Sequence, residues 1–166
     1  MKYIYVICIA MLLGACKQEA SEKATLTADQ LTGSDPSAFD KIADTITYDV
    51  IIRNDNPDDK WTESCLAHLK REEFVNTIME QIKAGTLTAY DYETNQPMPV
   101  AQLDSVKAEN DNKMVIGKIQ FTELWAYNKS QMQFYKKIHS AIFGYETYTP
   151  EGEVRGYKAA FRVFFK

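Results

Sequence analysis

Cysteine and histidine are scarce in this chain: three Cys, at 8, 16 and 65, and two His, at 68 and 139, among 166 residues. Cys65 stands alone after position 16, so no disulfide scaffold can form downstream and the fold must hold by packing. Cys65-x-x-His68 supplies two metal ligands where zinc needs three or four, and no second pair follows. A surface His beside a small buried Cys is the simpler expectation. A Cys/His nucleophile pair would also need a third, orienting group in contact, which composition does not supply. The sequence lacks G-x-S-x-G, H-E-x-x-H and the glycine patterns of dinucleotide and phosphate loops. No catalytic residue, metal or cofactor is therefore expected. A membrane-spanning run is missing too, since the apolar stretch from Tyr3 to Ala15 falls well short of the roughly 20 residues a helix needs to cross a bilayer.

That short stretch is informative in another way. Lys2, the apolar run Ile4 to Leu13, and the small residues Gly14 and Ala15 follow the three-part layout of a secretory signal. Leu13-Gly14-Ala15-Cys16 resembles the lipobox of bacterial lipoprotein precursors, in which the cysteine is acylated and becomes the first residue. The resemblance implies a lipoprotein signal peptide over 1–15, lipidation of Cys16, and attachment to a membrane through acyl chains. One such chain holds a protein only marginally, whereas two or more give stable anchoring. Lys17 in place of Asp implies the outer membrane by the same resemblance. Lys17-Gln18-Glu19 partly resembles the surface-export signal of Bacteroidetes lipoproteins.

Basic residues are outnumbered, 19 against 23 acidic, and only Lys2 of these lies in 1–15. An acidic balance argues against nucleic acid or anionic lipid as a partner, since both need a basic surface. Residues 16–40 are polar, with no sustained period of 2 or 3.6, and read as the lipidated Cys and a flexible tether. Residues 41–166 are enough for one domain with a real core.

Within that domain Ile46, Tyr48, Val50 and Ile52 alternate with polar residues as a half-buried strand does. Asn54 to Asp59 ends the strand. This acidic stretch lacks the glycine and ligand spacing of a calcium loop and reads as a solvated turn. Trp61 to Leu69 is either a first helical segment or an extended arm. Arg71 to Ala84 is the clearest helix: Phe74, Val75, Ile78, Met79 and Ile82 form one stripe, Glu72 and Glu73 suit its start, and Gly85 stops it. Thr86 to Asp91 reads as a short extended piece and Val100 to Ala108 as a second short helix, broken by Asn110-Asp111-Asn112.

A strand follows from Met114 to Tyr127, with Val115, Ile119, Phe121, Trp125 and Tyr127 on one face. Glu123 shares that face, and a bulge turning it outward is a commoner solution than a buried acid with a partner. Gln133 to Thr147 reads as a strand, with a helix over 131–143 as the rival. Thr149-Pro150-Glu151-Gly152 has the type I turn pattern. It leads into a last strand in which Tyr157, Ala159, Phe161, Val163 and Phe165 alternate with polar residues. The fold class expected is α+β: an antiparallel sheet of four or five strands, with the helix at about 71–84 and a short second helix packed on one face.

The chain has ten Tyr, eight Phe and two Trp, all but Tyr3, Tyr5 and Phe39 within 41–166, which is many for so small a domain. Aromatics in excess of a core's needs mark recognition surfaces, although a β-rich core can also consume them. The segments Phe74 to Met98 and Glu123 to Ile142 resemble the gliding-motility protein N family of Bacteroidetes, a periplasmic part of the type IX secretion machinery. The resemblance rests on Ile82-Lys83-Ala84-Gly85, Leu87-Thr88-Ala89-Tyr90-Asp91, Pro97-Met98-Pro99, and the pattern Glu123, Trp125, Tyr127, Asn128, Lys129 before a strand. It implies no catalysis and pairing with a lipid-anchored partner beneath the outer membrane. This chain differs in carrying its own lipobox, in its short length and in its acidic balance, which together suggest a lipid-anchored relative.

The function expected is that of an envelope protein working by protein binding, with Glu123, Trp125 and Tyr127 as the candidate partner surface. Three alternatives remain open: an inhibitor or immunity-type lipoprotein, a hydrolase whose cleft gathers Glu123, His139 and an Asp, and a small-ligand carrier.

Overall fold

The structure, a computed structural model, describes residues 39–109 and 114–166. The expectations for the signal peptide, for Cys16, for the tether up to residue 38 and for the Asn110-Asp111-Asn112 break lie outside the described residues. Four strands, β1 (Asp40–Ile51), β2 (Ile116–Asn128), β3 (Gln133–Tyr148) and β4 (Val154–Phe164), form one antiparallel sheet in sequence order. Three helices, α1 (Lys60–Leu66), α2 (Arg71–Lys83) and α3 (Val100–Glu109), lie in the connection from β1 to β2. The fold is thus α+β with four strands, and of the two readings of Trp61 to Leu69 the structure has the helical one, as far as Leu66. The first strand begins at Asp40, inside the stretch assigned to the tether. The helical alternative over 131–143 is excluded, because residues 133–148 are strand and pair with β2 along nearly their whole length.

Capping decides where the helices start and stop. Asp59 accepts hydrogen bonds from the Thr62 backbone N–H (3.0 Å) and hydroxyl (2.7 Å), so the residue expected only to sit in a solvated turn instead begins α1. Those donors hold its carboxyl below the usual carboxylate range. At the other end of α2, Gly85 takes φ 75°; its N–H bonds to the Ile82 carbonyl and the Thr86 N–H to that of Gln81. That pair of bonds is a Schellman stop, which only a residue tolerant of positive φ closes cheaply. Ile78 and Ile82 of α2 and Leu103 of α3 are buried in one core with Ile119, Phe143 and Phe161 of the sheet. Phe143 stacks on Phe161 at 4.9 Å and meets Phe74 of α2 at 5.9 Å.

Bulges shift which residues reach that core. Between Ile116↔Tyr145 and Lys118↔Gly144, β2 carries Gly117 as an extra residue, so that Ile116, rather than the expected Val115, joins Ile119 inside. In β4, Phe161 pairs with Phe143 but Ala159 pairs with Gly144. Ala160 takes the core position there, and Tyr157 and Ala159 turn to the opposite face, against the simple alternation read from the sequence. Gly117 is required where it stands: a Cβ would lie 2.6 Å from Glu146 Oε1 and 2.8 Å from the Tyr157 ring.

Near the C-terminal end of β4 its outer edge is covered, because Tyr90 exchanges backbone hydrogen bonds of 2.8 Å with Arg162 and the loop closes on itself through Met98 and Ala89. Two residues further on β4 stops with Phe164 opposite Ser140, while β1, β2 and β3 continue to Asp40, Asn128 and Gln133. The core shared with the helices reaches Phe121, Ala141 and Val163. Beyond those residues the sheet is a three-stranded arm.

Candidate partner-binding site

At the base of the arm both neighbours of β2 bulge at the same place. On β1, Ala43 pairs with Trp125 and Ile46 with Glu123, so Asp44 and Thr45 together face the single residue Leu124. On β3, Ser140 pairs with Thr122 and Ile138 with Glu123, leaving His139 as the extra residue. Thr45 has φ 62°, a position that β-branched side chains rarely adopt, with its hydroxyl donating to the Asp44 carbonyl at 2.6 Å. β2 itself runs on without interruption, so Glu123, Trp125 and Tyr127 keep the face that carries Ile119 and Phe121 into the core. The sequence grouping of these three residues is therefore reproduced.

Glu123 was expected to turn outward at a bulge. The bulges are present, but they lie in the neighbouring strands, and Glu123 is 3 % exposed. It is a buried acid with partners. The Tyr48 hydroxyl donates to Oε1 at 2.6 Å, the Trp125 indole N–H donates to Oε2 at 2.7 Å, and Lys136 Nζ lies 3.6 Å from Oε2. Burial opposes the charge, yet the hydrogen bonds from Tyr48 and Trp125 with the Lys136 cation outweigh it and hold the carboxyl below its ordinary range. The same ammonium sits 4.4 Å from the centroid of the Trp125 ring and 5.6 Å from that of Tyr48. Phe134 packs edge-on to Trp125 at 5.4 Å and tilted against Tyr127 at 6.4 Å, and it remains half exposed. Tyr127 donates to the Met132 sulfur at 2.9 Å.

Tyr48, Phe134 and Lys136 complete this cluster, and the sequence reading did not assign them to it. For Tyr48 the signal was its place in the β1 alternation. For Phe134 and Lys136 it was a two-residue spacing on the strand that pairs with Trp125 and Tyr127.

The Tyr48 bond has a measurable sign. Donation to Glu123, then burial, pushes the Tyr48 phenol up from 10.0 to about 12. A folded pKa above the unfolded one means stability that is present below about pH 10 and lost as pH rises through 12. Ultraviolet titration of the folded chain should therefore show two late phenols, Tyr48 and Tyr148, of which one is lost in Tyr48→Phe. A Tyr48 ionising with the exposed tyrosines would contradict the hydrogen bond.

A second buried acid went unnoticed in the sequence. Glu146 on β3 has no exposed surface; Arg53 Nη1 donates to both of its oxygens at 2.7 Å and the Tyr148 hydroxyl to Oε2 at 2.6 Å. Burial, then the bond to Glu146, raises the Tyr148 phenol to about 12. Arg53 lies 93 positions away in sequence, which no local pattern reveals.

The remaining candidates are placed as follows. Cys65 is exposed rather than buried, and His68 is exposed beyond the end of α1. Glu72 and Glu73 pair on the surface with Arg71 and Lys70. Asp44, Glu123 and His139 do border one recess of about 220 Å³ in the doubly bulged region. The Glu123 carboxylate is occupied by Tyr48, Trp125 and Lys136, and among the described residues no hydrogen bond links His139 to either acid. Among the described residues no three His, Cys, Asp or Glu are grouped to hold a metal ion, and no helix is long and apolar enough to cross a membrane. No family model, curated protein or solved structure matches this chain.

Proposed function

We propose that this chain is a lipid-anchored envelope protein, attached through acyl chains on Cys16, that works by binding a protein partner on the arm of its sheet. The observation that supports this most is the cluster around Trp125. Its aromatic side chains are held in fixed orientations by a buried carboxylate, on a part of the sheet that lies beyond the helix-backed core. Rigid, amphipathic aromatics with a polar anchor are the residues that dominate protein recognition. Phe134, Ile138 and Met132 extend the exposed apolar surface beside them. In this reading α2 and α3 brace the sheet from one side and the arm reaches away from them. The resemblance to the gliding-motility protein N family makes an accessory of type IX secretion or gliding the first place to look for the partner.

Crosslinking in cells tests both halves. A photoreactive residue is placed at Phe134 in the full chain, and the cells are grown with labelled palmitate. The expected result is an adduct with one envelope protein that carries the label and disappears when Trp125→Ala is added. Unchanged adducts in Trp125→Ala would clear this surface, and a protein without label would remove the anchor.

A further inference from the structure

Lys136 occupies a place built for a cation. Below it is a carboxylate that is 3 % exposed and fixed from two directions by the neutral donors of Tyr48 and Trp125. Beside it stand the faces of two rings, at 4.4 and 5.6 Å. A buried negative charge flanked by aromatic faces is the chemistry that recognises ammonium and guanidinium groups.

Lys136 fills the place loosely. Its 3.6 Å separation from Oε2 is the longest of the three contacts to Glu123, and its side chain is 46 % exposed. A half-exposed, single-point ion pair is worth little, because water and side-chain freedom compete with it. A guanidinium matches the place better. Its plane can lie on the Trp125 indole while an edge N–H donates to Oε2, and it is more weakly hydrated than an ammonium. A quaternary ammonium offers a charge for the rings but no donor for the oxygen. The chain's net charge of -4 also favours a partner that brings positive charge.

We propose that Glu123, Trp125 and Tyr48 form a receptor for an arginine side chain of the protein partner, with Lys136 as its displaceable occupant. This rests on the protein-binding role assigned to the arm and specifies the chemistry of the partner. Arginine displaces Lys136 into solvent, donates an N–H to the remaining lone pair of Oε2 and stacks on Trp125.

The test uses the full chain with Trp61→Phe, which leaves Trp125 as the only tryptophan, and follows its fluorescence with two probes, N-acetyl-arginine amide and tetramethylammonium, at fixed ionic strength. Lys136→Ala should bind the arginine probe roughly tenfold more tightly than the chain retaining Lys136, the order expected from one exposed ion pair plus one cation–π contact. Lys136→Arg, which supplies the guanidinium covalently, should block the probe at least as well as Lys136 does. Adding Glu123→Gln to Lys136→Ala should abolish the gain, and the Lys136→Arg comparison keeps the test decisive if that variant does not fold. Equal affinities across the Lys136 variants would overturn the proposal. So would tighter binding of tetramethylammonium than of the arginine probe, since the site would then suit a quaternary ammonium such as a lipid headgroup. Because the probes are small, their failure leaves the crosslinking result standing. Probe binding without any crosslink at Phe134 would instead remove the protein partner.

Discussion

Replacing Phe143 with alanine should lower the unfolding free energy by about 3–5 kcal/mol, the range for emptying a fully buried aromatic site. Phe143 has no exposed surface and joins three elements: it stacks on Phe161 of β4, meets Phe74 of α2 and stands opposite Ile119 of β2. The surrounding strands are tied by ladder hydrogen bonds and cannot collapse into the space, so both transfer and cavity contributions apply. Phe74→Ala is the internal comparison. Phe74 touches the same ring from the helix side but is 37 % exposed, so its truncation should cost only about 1 kcal/mol. Chemical denaturation of both variants checks the ordering. A loss below about 1.5 kcal/mol for Phe143→Ala would mean that α2 and the sheet do not share this core.

The second large effect is expected at Arg53. Arg53→Met removes the guanidinium that donates to both oxygens of the buried Glu146 carboxylate, which also accepts from the Tyr148 hydroxyl. Breaking a buried pair from one side costs about 3–5 kcal/mol; because the Arg53 side chain is 38 % exposed, about 2–4 kcal/mol is expected here. Combining Arg53→Met with Glu146→Gln should recover at least half of that loss, since the buried charge is removed together with its partner. If the double variant were as unstable as the sum of the two single ones, the pair would not be coupled, and the geometry around Gly117 would need another cause.

The reach of the sequence is clearest where interactions are local. The α2 stripe, its acidic first turn and its Gly85 stop all lie within a few residues of one another, and the structure reproduces them. Strand alternation placed β1 to β4, and β-branched and aromatic content rightly favoured strand over helix for β3. The misplacements have a common origin. A bulge adds one residue and inverts the faces beyond it. Val115 was therefore taken for the core in place of Ile116, and Ala159 in place of Ala160, since nothing in either segment announces the extra residue except Gly117. Glu123 and Glu146 failed differently. Each acid is made tolerable by groups far along the chain, Tyr48 at a separation of 75 and Arg53 at 93, so their burial is a property of the assembled sheet. Asp59 shows a third case, because its capping partner Thr62 is only three residues away, yet the stretch reads as a solvated turn when its acids are weighed as charge alone.

The extra residues at Asp44, Thr45 and His139 lock the arm against sliding. In a regular ribbon a strand can creep two positions past its neighbour and keep its faces, and so absorb an inserted or deleted pair in the turn. Here any creep would carry the misfitted segments of both outer strands, one of them with a β-branched residue at φ 62°, into stretches that have no room for them. Length changes in the turn after Asn128 must then be tolerated by the turn itself, and the distance from the anchor at Glu123 to the tip stays constant.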